Sequence, residues 1–413
     1  ALLIAACCGP VALADVSMAN VFGDGMVLQR DKPVNVWGWA DPGEPVTVRF
    51  AGQTVRARAD ADGKWVATLQ PMDASFEGRA LSVAGGFNDL SIQDVLVGEV
   101  WLCGGQSNME WTLRGSLDND IEIASANYPA VRFLSLPNVA SHEVARDIPL
   151  ADDGGWRPCT PEYVSNCTAV GYYFAVRLHR YLDVPVGIID NAWGGTTANH
   201  WVSWQTLEGV PEMAPEFERF NTAVQAWLEG GGEEGAQRRY EADVEAWEAA
   251  VAEAERNGER APRQPNRGAG QYIDPRTQRQ PAGMYNTLVA PLAGLSLRGV
   301  LFYQGENNSF GEAWKPFPKT YPAVVADWRR AFGDEDLPIG LIQIAGWRNR
   351  RSMSYDMNHH TNVVREVQFH TWQRTPNTGL VVTFDCNTDG NIHPNLKRPV
   401  GERTARWALA EVY

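Results

Sequence analysis

Residues 95–111 read Val-Leu-Val-Gly-Glu-Val-Trp-Leu-Cys-Gly-Gly-Gln-Ser-Asn-Met-Glu-Trp, an apolar run that ends in two glycines and a serine. The run predicts a buried strand. Gly104 and Gly105 lack the Cβ atoms that would forbid a sharp strand-to-helix turn, so the Ser107 hydroxyl can stand clear of the sheet edge near outward-pointing N–H groups. This is where a parallel sheet delivers a nucleophile, and a hydrolase is the first expectation. The nucleophile elbow of α/β-hydrolases has glycine two places after its serine; Met109 stands there, so a different serine hydrolase family is implied. Turns of this composition often do no more than cap a helix, so Ser107 needs partners elsewhere in the chain.

From residue 94 onward strand and helix signals alternate. Strands are expected at 95–102, 130–136, 184–190, 297–303, 338–344 and 379–384, and helices at 169–182, 321–332 and 361–374. The pattern predicts an α/β fold with a doubly wound, mostly parallel sheet whose ligands gather at the strand C-termini. Before it, runs at 34–39, 46–50, 54–58 and 64–69 alternate with period two between Gly- and Asp-containing turns, which predicts an antiparallel β-sandwich. The expected domains are therefore a sandwich over 15–93 and a catalytic domain over 94–413. Residues 206–276 interrupt the alternation: Trp227, Tyr240, Val244, Trp247 and Val251 recur at helical spacing around Gly230-Gly231-Gly232, which predicts an inserted helical hairpin.

A chain of 413 residues, 44% of them apolar, can bury a large core. Its net charge of -14, without a run of Lys or Arg, argues against nucleic acid as a partner, because affinity for phosphate backbones comes from clustered positive charge. Sixteen Trp residues suit sugar rings as well as cores. The N-terminus, Ala-Leu-Leu-Ile-Ala-Ala-Cys-Cys-Gly-Pro-Val-Ala-Leu-Ala, is apolar for about ten residues, too short to span a bilayer. It reads as the remnant of a signal peptide over 1–14 cleaved after Ala14, and export to the periplasm or medium follows. Ile4-Ala5-Ala6-Cys7 also resembles a lipobox, which would anchor the protein through Cys7. Export permits disulfides, and Cys159 and Cys167 are close enough in sequence to pair. No Cys/His pattern has zinc spacing and His359-His360 lies in a polar loop, so neither metal nor cofactor is expected.

Three further polar loops follow expected strands. Residues 385–394, Asp-Cys-Asn-Thr-Asp-Gly-Asn-Ile-His-Pro, hold Asp385, Asp389 and His393, the imidazole and carboxylate that serine activation requires. Asp190-Asn191-Ala192-Trp193-Gly194-Gly195-Thr196 offers a turn able to aim backbone N–H groups at an oxyanion. Tyr303-Gln304-Gly305-Glu306-Asn307-Asn308 supplies side-chain amides for the same task.

Several of these segments together resemble a known family. They are 98–111, Trp193-Gly194-Gly195-Thr196, the 303–308 loop and Ile392-His393-Pro394 with Lys397 and Val400-Gly401-Glu402-Arg403. Val21-Phe22-Gly23-Asp24-Gly25-Met26-Val27-Leu28-Gln29-Arg30, Met284-Tyr285-Asn286 and Ala290-Pro291-Leu292 complete the set. In this order they are similar to the sialate O-acetylesterases, within the SGNH (GDSL-like) hydrolases of flavodoxin-like three-layer build. The resemblance implies Ser107 as nucleophile and His393 as general base. It further implies the N–H groups of Ser107, Gly194 and Gly195 as oxyanion donors, with Gln304 or Asn307 as the side-chain donor. Wider members of the superfamily place Asp three residues before His, where this chain has Gly390. The acid is therefore left between Asp385, which is preferred, and Asp389, or a backbone carbonyl orients the ring. The family usually continues beyond the position of Tyr413, which reads as a truncated or short C-terminus. The implied activity is removal of O-acetyl groups from a sugar, sialic acid or plant polysaccharide, through an acetyl-enzyme. The alternative is a non-catalytic carbohydrate-binding protein on a hydrolase scaffold.

Overall fold

The computed structural model describes residues 15–268, 270–346, 360–387 and 391–413. Residues 1–14 and His359 lie outside them. The molecule is built on one strand of 17 residues, Asp89–Gly105, whose second half is buried without interruption. On one side it pairs in parallel with Val186–Ala192, which pairs in turn with Tyr128–Ser135; on the other come Gly299–Tyr303, Ile339–Ile342 and Thr378–Val381, again in parallel. Short Arg157–Cys159 closes one edge antiparallel, making the sheet mixed. Val186–Ala192 and Gly299–Tyr303 are buried along their whole length because helices cover both faces of the sheet, which is why they read as unbroken apolar runs.

Helix Ala169–Leu182 starts at Thr168, whose side chain accepts from the Gly171 N–H, and packs across Arg398–Glu411. Gly401 allows that crossing: a Cβ there would lie 2.6 Å from the Tyr173 side chain and from the Val170 carbonyl. On the opposite face Phe317–Phe332 packs against Thr361–Arg374. The former begins four residues before the expected position 321. Pro318 falls in the first turn, where a missing N–H costs nothing, while Pro322 lies inside the helix and removes one of its hydrogen bonds. The last strand stops at Val381, three residues early, because the Thr383 hydroxyl bonds the Gln343 carbonyl at 2.6 Å and the chain turns there.

The N-terminal region forms antiparallel β structure in two sheets. One holds Ser17–Met18, Val34–Trp39 and Lys64–Leu69; the other holds Pro45–Phe50, Gln53–Arg58 and Ser75–Ala84. The second sheet continues into the first half of Asp89–Gly105, so the strand crosses the expected boundary at 93/94 without a break. A buried ionic knot ties the two regions: Glu99, fully buried, accepts from Arg298 Nε at 2.7 Å, Arg30 Nε at 2.5 Å and Gln29 Nε2 at 3.0 Å. Burial works against its charge, yet these partners hold the Glu99 carboxyl below its ordinary pKa. Removing one partner of such a cluster costs about 3–5 kcal/mol.

The insertion forms two helices, Ala214–Glu229 and Gly232–Asn257, broken at Gly230 and Gly231. Cys103, Cys159, Cys167 and Cys386 are all buried and unbonded, so the expected pairing of Cys159 with Cys167 is not made. Among the described residues no helix is long and apolar enough to cross a membrane.

Candidate active site

The sheet reverses its winding at Asp89–Gly105: its neighbours Val186–Ala192 and Gly299–Tyr303 lead away on opposite sides, leaving a crevice beyond their carboxyl ends. Ser107 stands in that crevice because two glycines let the chain turn. A Cβ on Gly104 would lie 2.5 Å from the Trp328 ring. Gly105 has φ +127°, and its Cβ would fall 2.1 Å from the Tyr303 carbonyl oxygen. The next residue, Gln106, caps the short helix Ser107–Glu110, its carbonyl accepting from the N–H groups of Met109 at 2.8 Å and Glu110 at 3.0 Å. Its side-chain oxygen accepts from Gln304 Nε2 at 2.7 Å, Asn307 N at 3.2 Å and Gly305 N at 3.3 Å, which stitches the serine turn to the 304–307 loop.

His393 Nε2 lies 2.7 Å from Ser107 Oγ, although the two residues are 286 positions apart. The imidazole stacks on the Trp111 ring, with centroids 5.4 Å apart and planes at 27°. Burial and the Lys397 ammonium hold its pKa below the ordinary histidine value, while the Glu110 charge pulls the other way. The ring is therefore neutral at pH 7, the state in which it can accept a proton.

The preferred acid, Asp385, is engaged elsewhere. Its two oxygens take Arg403 Nη1 at 2.7 Å and Nη2 at 2.6 Å, and this hydrogen-bonded pair brings its carboxyl down to about 2. Among the described residues no carboxylate is hydrogen-bonded to the His393 ring. Asp389 lies outside them.

The Gly194–Gly195 turn lies against Ser107: a Cβ on Gly194 would be 3.2 Å from the Ser107 Cβ. The Gly194 N–H, however, donates to Glu110 Oε2 at 2.7 Å and is not aimed at an open position; the other Glu110 oxygen accepts from Asn138 Nδ2 at 2.8 Å. Of the two amide candidates, Asn307 lines the cleft and donates to the Gly195 carbonyl at 2.9 Å. Gln304 does not reach it. Fully buried, its Nε2 donates to Gln106 Oε1 and to the Thr196 carbonyl at 2.8 Å, and its Oε1 accepts from Thr196 Oγ1 at 3.2 Å, so it braces the two loops from below.

Three further groups beneath the serine were not among the expected site residues. Asn108, wholly buried, donates from Nδ2 to Glu306 Oε1 at 2.5 Å and to the Ile392 carbonyl at 2.9 Å, and its Oδ1 accepts from Lys397 Nζ at 2.5 Å. The residue after Ser107 thus holds the backbone just before His393. Burial pushes the Glu306 carboxyl up to about 7 and brings the Lys397 ammonium down to about 7, each opposed by the other's charge. The Lys397 ammonium also lies over the rings of Trp111 at 5.5 Å and Tyr303 at 5.8 Å. Glu110, adjacent in sequence to Met109, was missed for the same reason as these three: nothing in its neighbours marks which way its side chain points.

Ser107 and His393 open into a cleft of about 430 Å³ walled by Glu110, Asn138, Trp193, Arg279 and Asn307. A serine hydroxyl on a neutral imidazole, at the switch point of a large mixed sheet, is the arrangement of a serine ester hydrolase. The family model for carbohydrate esterases, sialic acid-specific acetylesterase, matches residues 97–254 and 268–409. Human sialate O-acetylesterase is 26% identical over 435 residues, an alignment covering 96% of this chain and 71% of that protein. The mouse sialate O-acetylesterase is 28% identical over 431 residues, covering 96% and 73%. A crystal structure of a carbohydrate acetylesterase from Xanthomonas citri superposes with a TM-score of 0.74 at 28% identity, covering 97% of this chain and 76% of that one. The chain belongs to the sialic acid-specific acetylesterase family of carbohydrate esterases. It is a carboxylic ester hydrolase that removes O-acetyl groups from carbohydrates.

Proposed function

We propose that Ser107 is the nucleophile and His393 the general base of this deacetylation. Their 2.7 Å contact is the observation that carries the reading. The His393 Nε2 takes the Ser107 hydroxyl proton as Oγ bonds to the acetyl carbonyl carbon, and the carbonyl electrons move to oxygen. As the tetrahedral intermediate collapses, the bond to the sugar oxygen breaks and the imidazolium returns its proton to that oxygen. Water then attacks the acetyl-enzyme with His393 again as base, Ser107 regains its proton, and acetate leaves.

The Ser107 N–H, in a first helical turn where N–H groups lack intrahelical partners, and the Asn307 amide across the cleft are the donors we assign to the oxyanion. One such donor supplies about 3 kcal/mol of transition-state stabilisation. Trp111 and the Asn108 bond to Ile392 position the imidazole. The acetylated substrate is a sialic acid or a plant polysaccharide. The strand order supports an SGNH-type, flavodoxin-like three-layer domain over 94–413 with an edge strand added. The paired sheets before it support a β-sandwich over 15–93. Residues 1–14 support export, and the net charge of -14 supports the absence of a nucleic-acid partner.

Ser107→Ala tests the assignment. It is expected to lower kcat on p-nitrophenyl acetate by about 10⁴-fold or more and to abolish labelling by a fluorophosphonate, with the circular dichroism spectrum unchanged. Full activity in that variant rejects Ser107 as nucleophile.

A further inference from the structure

A second chamber of about 530 Å³ opens beside the catalytic cleft, between the inserted helices and the 270–281 loop. The two cavities share Arg279, whose Nε donates to the Gly194 carbonyl at 2.9 Å and whose guanidinium lies over Trp193 at 5.1 Å. Arg279 therefore forms a sill between them, fixed to the turn that flanks Ser107. The volume lies in the range of small-molecule sites, about 300–1,000 Å³.

The lining suits a sugar. Phe220 and Trp227, both buried, give an apolar floor for the C–H face of a pyranose, while exposed Arg219 and Gln278 offer polar groups at the rim. Gln280 is only 3% exposed and lines the wall. Its Nε2 donates to the Arg276 carbonyl, but its Oε1 is buried without a hydrogen-bond partner. A buried acceptor left unpaired costs about 1–3 kcal/mol, a cost that a sugar hydroxyl would relieve once the Gln280 side chain turns its oxygen toward the chamber.

We propose that this chamber is a subsite for the sugar unit linked to the acetylated one. The substrate is then an acetylated oligosaccharide in preference to a free acetylated monosaccharide. The proposal rests on the carbohydrate esterase activity and adds a second contact region outside the reacting centre.

Ala223 lines the chamber from an exposed position on Ala214–Glu229, so Ala223→Trp fills the space without removing a contact; Arg219→Ala removes a rim donor. The probes are O-acetylated xylotetraose against O-acetylated xylose, and O-acetylated sialyllactose against O-acetylated sialic acid. In the unaltered enzyme kcat/KM is expected to favour the oligosaccharide of one pair at least about tenfold. Both variants should reduce that preference to about threefold or less while leaving p-nitrophenyl acetate hydrolysis unchanged. Binding of the same oligosaccharide to Ser107→Ala, followed by calorimetry, should weaken by a similar factor when Ala223→Trp is added. Equal rates within each pair, or a preference that survives Ala223→Trp, overturns the subsite while the esterase reading stands. Hydrolysis of p-nitrophenyl acetate with no release of acetate from any of the four sugars overturns both.

Discussion

Asn108→Ala tests how the imidazole is held. The substitution deletes three hydrogen bonds at once: from Nδ2 to Glu306 Oε1 and the Ile392 carbonyl, and from Lys397 Nζ to Oδ1. Glu306 and Lys397 are each about 1% exposed, so water cannot replace the lost partner without opening the core. Orphaning a buried charged group costs about 3–5 kcal/mol and an unpaired carbonyl about 1 more, giving an expected loss of roughly 4–6 kcal/mol. Freeing Ile392 also lets His393 drift from Ser107, and a shift of about 1 Å at a reacting group is worth about a hundredfold in rate. Urea unfolding gives the first quantity; kcat and KM for p-nitrophenyl acetate, measured below the new unfolding midpoint, give the second. Since the Asn108 side chain points away from the cleft, kcat should fall with KM little changed. Stability within about 1 kcal/mol of the parent together with an unchanged kcat would refute the reasoning.

The remaining expectations are narrower. Asp385→Asn should keep kcat/KM within about threefold, because its partner is Arg403 and not His393; a fall of about 10⁴, the size seen when a triad acid is lost, would return Asp385 to the site. For pH, burial lowers the His393 pKa and the neutral ring is the active form, so kcat/KM should rise with pH and level off through an apparent pKa below 6.5. An acid limb centred above 6.5 would contradict it. Gly105→Ala should destabilise by about 3 kcal/mol, from strain at φ +127° and overlap with Tyr303, and a stable, active variant would show that the turn tolerates a side chain.

Periodicity and turn chemistry made most of this architecture legible. Helices 169–182 and 361–374 lie where the 3.6-residue pattern puts them, and the loops that carry Ser107, Gly194, Asn307 and His393 line one cleft. The meeting of Ser107 and His393 was legible because a serine at a glycine turn and a His-Pro loop each leave a local mark. The misplacements share another cause. An amide one residue past a strand can face the cleft or the core with equal local grammar, and Gln304 faces the core while Asn307, three residues on, faces out. Asp385 looks available until a helix brought in 18 residues later presents Arg403. Buried charges such as Glu306 and Lys397 are invisible to a pattern that equates charge with surface. Cys159 and Cys167, near neighbours in sequence, are both buried and remain free thiols, because closeness in sequence does not fix the geometry a disulfide needs.

The 17-residue strand has a consequence for anyone dividing this molecule. Its opening half is stitched into the amino-terminal sheet and its closing half carries the turn before Ser107, like a single rafter framed into two roofs. Excising the amino-terminal portion would bare a row of unmet amides on the same rafter that aims the serine, so catalysis and solubility should be lost together. Fusion partners and affinity tags belong at the chain ends, not at the seam near 93.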